Sequence, residues 1–308
     1  MPPRAYAAHN NSRSLSTGSL LSIPQVQRPA NISGHEPVLR LVHFTDAHLR
    51  TEHDAPARFR GMLRHIRRNN PDISLFLNGG GSIYMPDGGH PSREYVEREW
   101  QLWKDCTNAE LSDVSLRSCL GEGDLFYPDD ATDPLHGKPC ALRQLGMESA
   151  YYSFSSEGWH FCVLDSMHDG GGALGEEQMS WLKFDLDHNR HLPVLVLSHY
   201  PIAAFSTLPD HSAMHRDWEE ILALFNANPN VKICLSGHTH LLDRVWYNGV
   251  KYCCNGSAGG HYWEPGEDGL SACKQTPPGY ALVELYKDGS SRCKYVPYPI
   301  RTQVENSF

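Results

Sequence analysis

A layered α/β domain is the fold class this sequence predicts, and three observations predict it. Apolar β-like runs alternate with stretches of helical periodicity as far as Ser236, and the remainder reads mainly as hairpins. Five of the β-like runs also end directly in polar or glycine-rich groups. Strands alternating with helices, then hairpins, point to an α/β or α+β layered arrangement. Apolar strands covered by helices on both sides are expected to be buried on both faces.

The elements follow in order. Residues 38–45 form the first strand, which runs into Asp46-Ala47-His48. Residues 56–69 read as a helix, closed by Asn70-Pro71. A strand over 73–77 delivers Asn78-Gly79-Gly80-Gly81-Ser82. Residues 92–108 are helical, with Ser92 as N-cap and Trp100 and Trp103 on one face. A weaker strand over 114–120 ends in Gly121-Glu122-Gly123-Asp124, and the Asp-, Pro- and Gly-rich stretch 128–139 reads as a surface loop. Ser156-Glu157-Gly158 joins strands over 151–155 and 159–165 into a hairpin. A helix over 175–188 precedes the short strand 193–197 and Ser198-His199-Tyr200-Pro201. A helix over 213–226 leads to the strand 231–235 and then to Ser236-Gly237-His238-Thr239-His240. Two hairpins follow, turning at Asn248-Gly249 and at Lys287-Asp288-Gly289. The expected organisation is a disordered leader over 1–36, a domain over 37–264 and a C-terminal β extension over 265–308 packed on that domain.

Composition narrows the function classes. The chain has 308 residues, 20% charged and 40% hydrophobic, with a formal net charge of −9. An acidic chain without a basic stripe is not expected to bind nucleic acid in general, and a small anionic substrate would need a local cation to hold it. No run reaches the ~18 apolar residues of a membrane helix, so no membrane association is expected. The nine cysteines are odd in number and contain no CxxC pair, which favours reduced thiols and a cytoplasmic setting. The oligomeric state is not legible.

The placement of the polar groups carries the functional argument. Asp46 and His48, Gly79 to Gly81, Glu122 and Asp124, His199, and His238 with His240 all follow strands. In open α/β sheets the ligand crevice lies beyond the carboxyl ends of the strands. In extended backbone, side chains two apart point the same way, so His238 and His240 are expected to reach one cavity. Imidazole is the commonest metal ligand among side chains.

These groups, in this order, resemble the motifs of calcineurin-like metallophosphoesterases, nearest to the bacterial branch that includes cyclic-nucleotide phosphodiesterases. The resemblance spans roughly residues 38–264. It implies a four-layer α/β/β/α sandwich of mixed sheets flanked by helices, with two divalent metals at one edge. Asp46, His48 and His240 would serve the first metal, and His199 and His238 the second. The metals would be Mn, Fe or Zn, which suit a mixed Asp/His set. The activity implied is hydrolysis of a small phosphomonoester or phosphodiester by a metal-bound hydroxide, with Asp124 and His199 as catalytic residues. Tyr262 and Trp263 would wall the substrate pocket.

The chain departs from the family pattern where the chemistry is concentrated. Gly81 stands where the family has the Asp that bridges both metals. Glu122 replaces the Asn that ligates the second metal, and Gly123 replaces a His thought to protonate the leaving group or steady the phosphate. Glycine can neither ligate nor donate a proton through a side chain. Three states remain open: a metal pair with Glu122 recruited as a ligand, a single metal on Asp46, His48 and His240, or a pocket that binds metal or phosphoester without turnover.

Overall fold

The computed structural model describes residues 36–52, 54–84, 91–208, 211–259 and 276–298. The first 35 residues, and with them all of the expected leader except Glu36, lie outside the described residues, as do Tyr262 and Trp263. Within the described residues no helix is long and apolar enough to cross a membrane.

Two sheets form the centre. The first runs β11(Ser291–Pro297), β10(Gly279–Leu285), β1(Leu39–Phe44), β2(Leu75–Asn78), β3(Ser115–Ser118). The second runs β4(Tyr152–Ser156), β5(Trp159–Val163), β6(Val194–Leu197), β7(Val231–Ser236), β9(Val250–Cys254), β8(Asp243–Tyr247). Both are mixed: β1, β2 and β3 are parallel to one another, as are β5, β6, β7 and β9, and antiparallel strands complete each sheet. The C-terminal hairpin is a full member of the first sheet, with Leu41 opposite Val283 across the β1–β10 pair.

Strand alternation explains the layering. Along β1, Leu39 and Leu41 face the second sheet, while Val42 and Phe44 face the opposite way. Leu195, Leu197, Ile233 and Leu235 meet the inner face from the second sheet and close the core between the sheets. Outside the first sheet lie α1(Ala55–Asn69) and α2(Arg93–Leu111), clamped to β1 by Phe44, Phe59 and Trp103, with the Phe59 and Trp103 rings stacked at 5.7 Å. Outside the second sheet, α4(Gly175–His188) and α5(Trp218–Ala227) bury Leu182, Leu186, Ile221 and Phe225 against Cys162 and Val196. The result is the four-layer α/β/β/α sandwich expected from the sequence.

Two segments differ from the sequence reading. A helix, α3(Gly137–Leu145), begins within the stretch expected to be loop. It is only 9 residues long and starts with Gly-Lys-Pro, so it carries little periodicity; burial of Cys140 and Ala141 holds it in place. The helix expected from residue 213 starts at Trp218, because His211–Ala213 forms a separate 3₁₀ turn and Asp217 Oδ2 accepts the Leu174 N–H at the start of α4 instead of continuing a helix.

Candidate metal centre

The ends of β1, β2, β3, β6 and β7 converge at one edge of the two sheets and bring the polar groups together. Asp46, His48 and His240 form one trio and Glu122, His199 and His238 a second, each with its ligand atoms within 4.8 Å of one another. Asp46 Oδ1 lies at the junction, 3.4 Å from His48 Nε2, 3.3 Å from His240 Nε2 and 3.8 Å from His199 Nε2. In the second trio the Glu122 carboxylate spans two rings, at 2.7 Å from His199 Nε2 and 2.9 Å from His238 Nδ1.

The backbone that delivers these side chains is not extended. Asp46, His48, His238 and His240 all adopt left-handed conformations, with φ of 54°, 44°, 66° and 58°. Non-glycine residues rarely sit there, and such conformations cost on the order of 1–3 kcal/mol each unless the surroundings enforce them. This corrects the expectation that His238 and His240 share a cavity through strand alternation. The strand ends at Ser236, and the turn that follows sends His238 to the second trio and His240 to the first.

Neighbouring loops enforce the turns. Gly80 and Gly81 carbonyls accept the Asp46 and His48 N–H groups, each at 2.9 Å. Asp46 O accepts from Ser257 Oγ at 2.7 Å and from Gly259 N at 3.0 Å. Asp46 Oδ2 is occupied by Thr45 Oγ1 at 2.7 Å and by the His238 N–H at 3.0 Å. That approach requires a glycine before His238, since a Cβ at Gly237 would overlap both Thr45 Oγ1 and Asp46 Oδ2.

The remaining atom, Asp46 Oδ1, is fully buried and carries no aligned hydrogen bond, although three imidazole nitrogens surround it. Burial opposes ionisation of Asp46, but the His240 and His199 rings outweigh it and hold the carboxyl well below the usual carboxylate range. His199 is oriented by its Nδ1, which donates to Gly79 O at 2.6 Å and leaves Nε2 facing the cluster. Burial likewise opposes a charged His199, yet the Glu122 and Asp46 carboxylates push its pKa up to about 10 in the protein without metal. A ring nitrogen fixed by a backbone carbonyl, with its partner nitrogen aimed at a carboxylate cluster, is the arrangement found around metal-ligating histidines. An orphaned buried carboxylate oxygen among imidazole nitrogens therefore fits a divalent cation.

Asp124 and Asp165 are both buried. Asp124 is fully buried, and both its oxygens are taken by backbone N–H groups: Ser82 at 2.7 Å, Gly121 at 2.9 Å and Gly81 at 3.1 Å. It ties the glycine loop to the Glu122 turn. Asp165 accepts from Met167 N at 2.9 Å and from Lys138 Nζ at 2.5 Å, so it caps a turn and anchors α3. Gly81 places its Hα side toward the first trio: a Cβ there would lie 2.9 Å from Asp46 Oδ1.

Two residues near the centre were not singled out from the sequence. Tyr200 stacks its ring on His238 at 3.8 Å, a role signalled only by its position next to His199. Arg50 lies over the Tyr84 ring at 4.6 Å, and Tyr84 in turn meets the His48 ring edge-on at 6.4 Å, which puts a cation beside the first trio. A third grouping, His160, Cys162 and Asp185, lies behind the second sheet under α4; its members hydrogen-bond to one another and to Ser153 and Ser155.

Comparison with known proteins agrees with this fold. The family model for calcineurin-like phosphoesterase matches residues 39–242. A 3′,5′-cyclic-nucleotide phosphodiesterase of Nostoc sp. is 32% identical over 174 residues, 54% of this chain, and the match spans 64% of that relative's length. A probable cyclic nucleotide phosphodiesterase of Synechococcus sp. is 24% identical over 226 residues, covering 68% of this chain and 76% of the relative. Among solved structures, a dimetal phosphatase from Danio rerio superposes with a TM-score of 0.63 at 17% identity, covering 84% of this chain and 96% of that one. The anchor in the inner membrane complex of Plasmodium superposes with a TM-score of 0.56 at 15% identity, over 84% of each chain. At these identities the structural likeness speaks for the fold alone, while the match over 39–242 speaks for the family. The chain belongs to the calcineurin-like phosphoesterase family.

Proposed function

We propose that this chain hydrolyses a small phosphodiester with the help of divalent cations, at a rate below that of relatives with the complete motif set. The observation that carries the reading is the pair of trios meeting at Asp46 Oδ1. Asp46, His48 and His240 would hold one cation, and Glu122, His199 and His238 a second. Cations held there would supply the positive charge that a chain of net charge −9 lacks for binding and activating a phosphoester. Relatives named as cyclic-nucleotide phosphodiesterases favour a phosphodiester over a phosphomonoester.

The chain's own residues then have distinct tasks. Among the described residues, Asp46 Oδ1 is the carboxylate oxygen that lies near imidazoles of both trios, so it would take on part of the ligating role that Gly81 cannot perform. Thr45 and the His238 N–H fix the other oxygen of Asp46 and thereby aim Oδ1. Gly79 O sets the His199 tautomer, and Tyr200 sets the plane of His238. Asp124 is a positioning residue that holds the two loops in register. At position 123 no side chain is present to protonate a leaving group, and loss of one such acid costs about 10²–10⁴-fold in rate.

A second reading rests on Glu122. Its carboxylate already pairs with His199 and His238 at 2.7 and 2.9 Å, and that pairing satisfies the second trio without a cation. In this case the chain binds one metal, or a phosphoester, without turnover. Hydrolysis of bis(p-nitrophenyl) phosphate and of 3′,5′-cyclic AMP with added Mn separates the two. Turnover that disappears in Asp46→Asn supports the hydrolase; metal binding with no turnover on either substrate leaves only the binding protein.

A further inference from the structure

Cys253 and Cys293 lie on different sheets yet point at each other. Cys253 is on β9, opposite Leu235 of β7, and Leu235 faces the core between the sheets. Cys293 is on β11, opposite Val283 of β10, which faces the same core from the other side. Residues directly opposite on neighbouring strands share a face, so both thiols project into the gap between the sheets. Both sit in the core between the sheets, and each is the largest electrostatic influence on the other.

Cations from the second sheet complete the group. Arg244 of β8 lies opposite Cys253 and reaches Cys293 Sγ with Nη2 at 3.6 Å. Lys251 of β9 donates to Ser291 O at the start of β11, at 2.5 Å, which ties the two strands together from one sheet to the other. Cys253 is buried, whereas Cys293 keeps a partly exposed edge. All eight described cysteines are free thiols.

We propose that Cys253 and Cys293 are a redox modification site, which a peroxide oxidises to a disulfide that staples the second sheet to the first. The Cys293 sulfur attacks a peroxide oxygen, the O–O bond breaks and water leaves, giving a sulfenic acid. The Cys253 thiol then attacks that sulfur, forming the S–S bond and releasing the sulfenic oxygen as a second water. Two thiols have lost two electrons and two protons, and one hydrogen peroxide has become two waters.

Electrostatics agrees with Cys293 as the attacking group. The Cys253 thiol, assisted by Arg244 and Lys251 against the opposing effect of burial, lowers the Cys293 pKa below the ordinary thiol value, while that of Cys253 is raised, so Cys293 is the thiol of the pair favoured to ionise and attack. Cys119, Cys162 and Cys234 are driven well above the ordinary thiol value, mainly by burial, and are poor competitors.

The test treats purified full-length protein with stoichiometric hydrogen peroxide. Expected are loss of two titratable thiols, a mass lower by two hydrogens, and a cross-linked peptide joining Cys253 to Cys293 on non-reducing mapping with fragment sequencing. The melting temperature should rise by roughly 5–10 °C, as expected for closing a loop of about 40 residues, and dithiothreitol should reverse it. In Cys293→Ser the two-thiol loss should vanish, while Cys254→Ser should leave it intact. A cross-link through Cys254 or Cys273, or over-oxidation of Cys293 with Cys253 still free, would overturn the proposal.

Discussion

Asp124→Asn isolates what holds the two glycine-bearing loops together. The wild-type carboxylate accepts three backbone N–H groups, from Ser82 on Oδ1 and from Gly81 and Gly121 on Oδ2. An amide of the same shape can accept on one side only. If its oxygen takes the Oδ2 place, the NH₂ group faces the Ser82 N–H, donor against donor, in a fully buried position. One orphaned buried N–H costs about 1–3 kcal/mol. Burial raises the Asp124 carboxyl pKa despite the opposing N–H donors, so some of the advantage of the charge is already cancelled. The expected loss is therefore about 2 kcal/mol, within the stated range for one such group. Urea denaturation of both proteins measures it. The variant should also bind Mn about 10-fold more weakly in calorimetric titration, because the loosened glycine loop supplies the carbonyls that hold Asp46 and His48. An unchanged urea midpoint together with unchanged Mn affinity would refute the bracing role. A loss of turnover at full stability and full affinity would instead return Asp124 to the catalytic role suggested by the motif.

Three further expectations follow from the same geometry. Gly81→Asp, built at φ +65° with its Cβ 2.9 Å from Asp46 Oδ1, should destabilise the metal-free protein by about 1–2 kcal/mol, as small overpacking and strain changes do, yet tighten Mn binding at least 10-fold. Adding Gly123→His, whose Cβ must displace Ile83 O from 2.7 Å, should then raise aryl phosphodiester turnover by roughly 10²-fold, and no gain in either quantity would show that these loops are misassigned. Tyr200→Ala should weaken metal binding at the second trio by about 10-fold while Tyr200→Phe, which keeps the stacked ring, should not; equal affinities for both variants would remove Tyr200 from the positioning role. His43 is fully buried, accepts from Asn255 Nδ2 at 2.7 Å and has its pKa lowered from 6.5 to about 3, chiefly by burial. The unfolded chain therefore takes up this proton first, so stability should fall as pH drops from 6.5 toward 3, by up to about 1.4 kcal/mol per unit. In His43→Asn that part of the slope between pH 6.5 and 5 should disappear in urea melts, and an unchanged slope would count against the buried neutral ring.

Much of this arrangement is legible in the sequence because it is local. Each of β1, β2, β6 and β7 is a short apolar run that ends in its own functional group, so strand position and site position are read together. The hairpin turn at Asn248-Gly249 takes the positive φ values that its residue types favour, and Gly158 does the same in the turn after Glu157. What escaped is non-local or sterically determined. The pairing of β10 with β1 joins residues more than two hundred positions apart, and no periodicity encodes it. The left-handed turns at Asp46, His48, His238 and His240 come from the packing of four loops, so alternation was the wrong guide to where the two histidines point. The Tyr200 stack and the three backbone contacts of Asp124 are likewise products of the assembled edge.

The central claim is that two ligand trios at the carboxyl edge of the sheets hold divalent cations, and anomalous diffraction from Mn-loaded crystals tests it most directly. The account predicts one peak about 2.0–2.2 Å from Asp46 and the His48 and His240 nitrogens, and a second, weaker peak among Glu122, His199 and His238. Anomalous density confined to the His160, Cys162 and Asp185 grouping, or none in the cleft at saturating Mn, would contradict it.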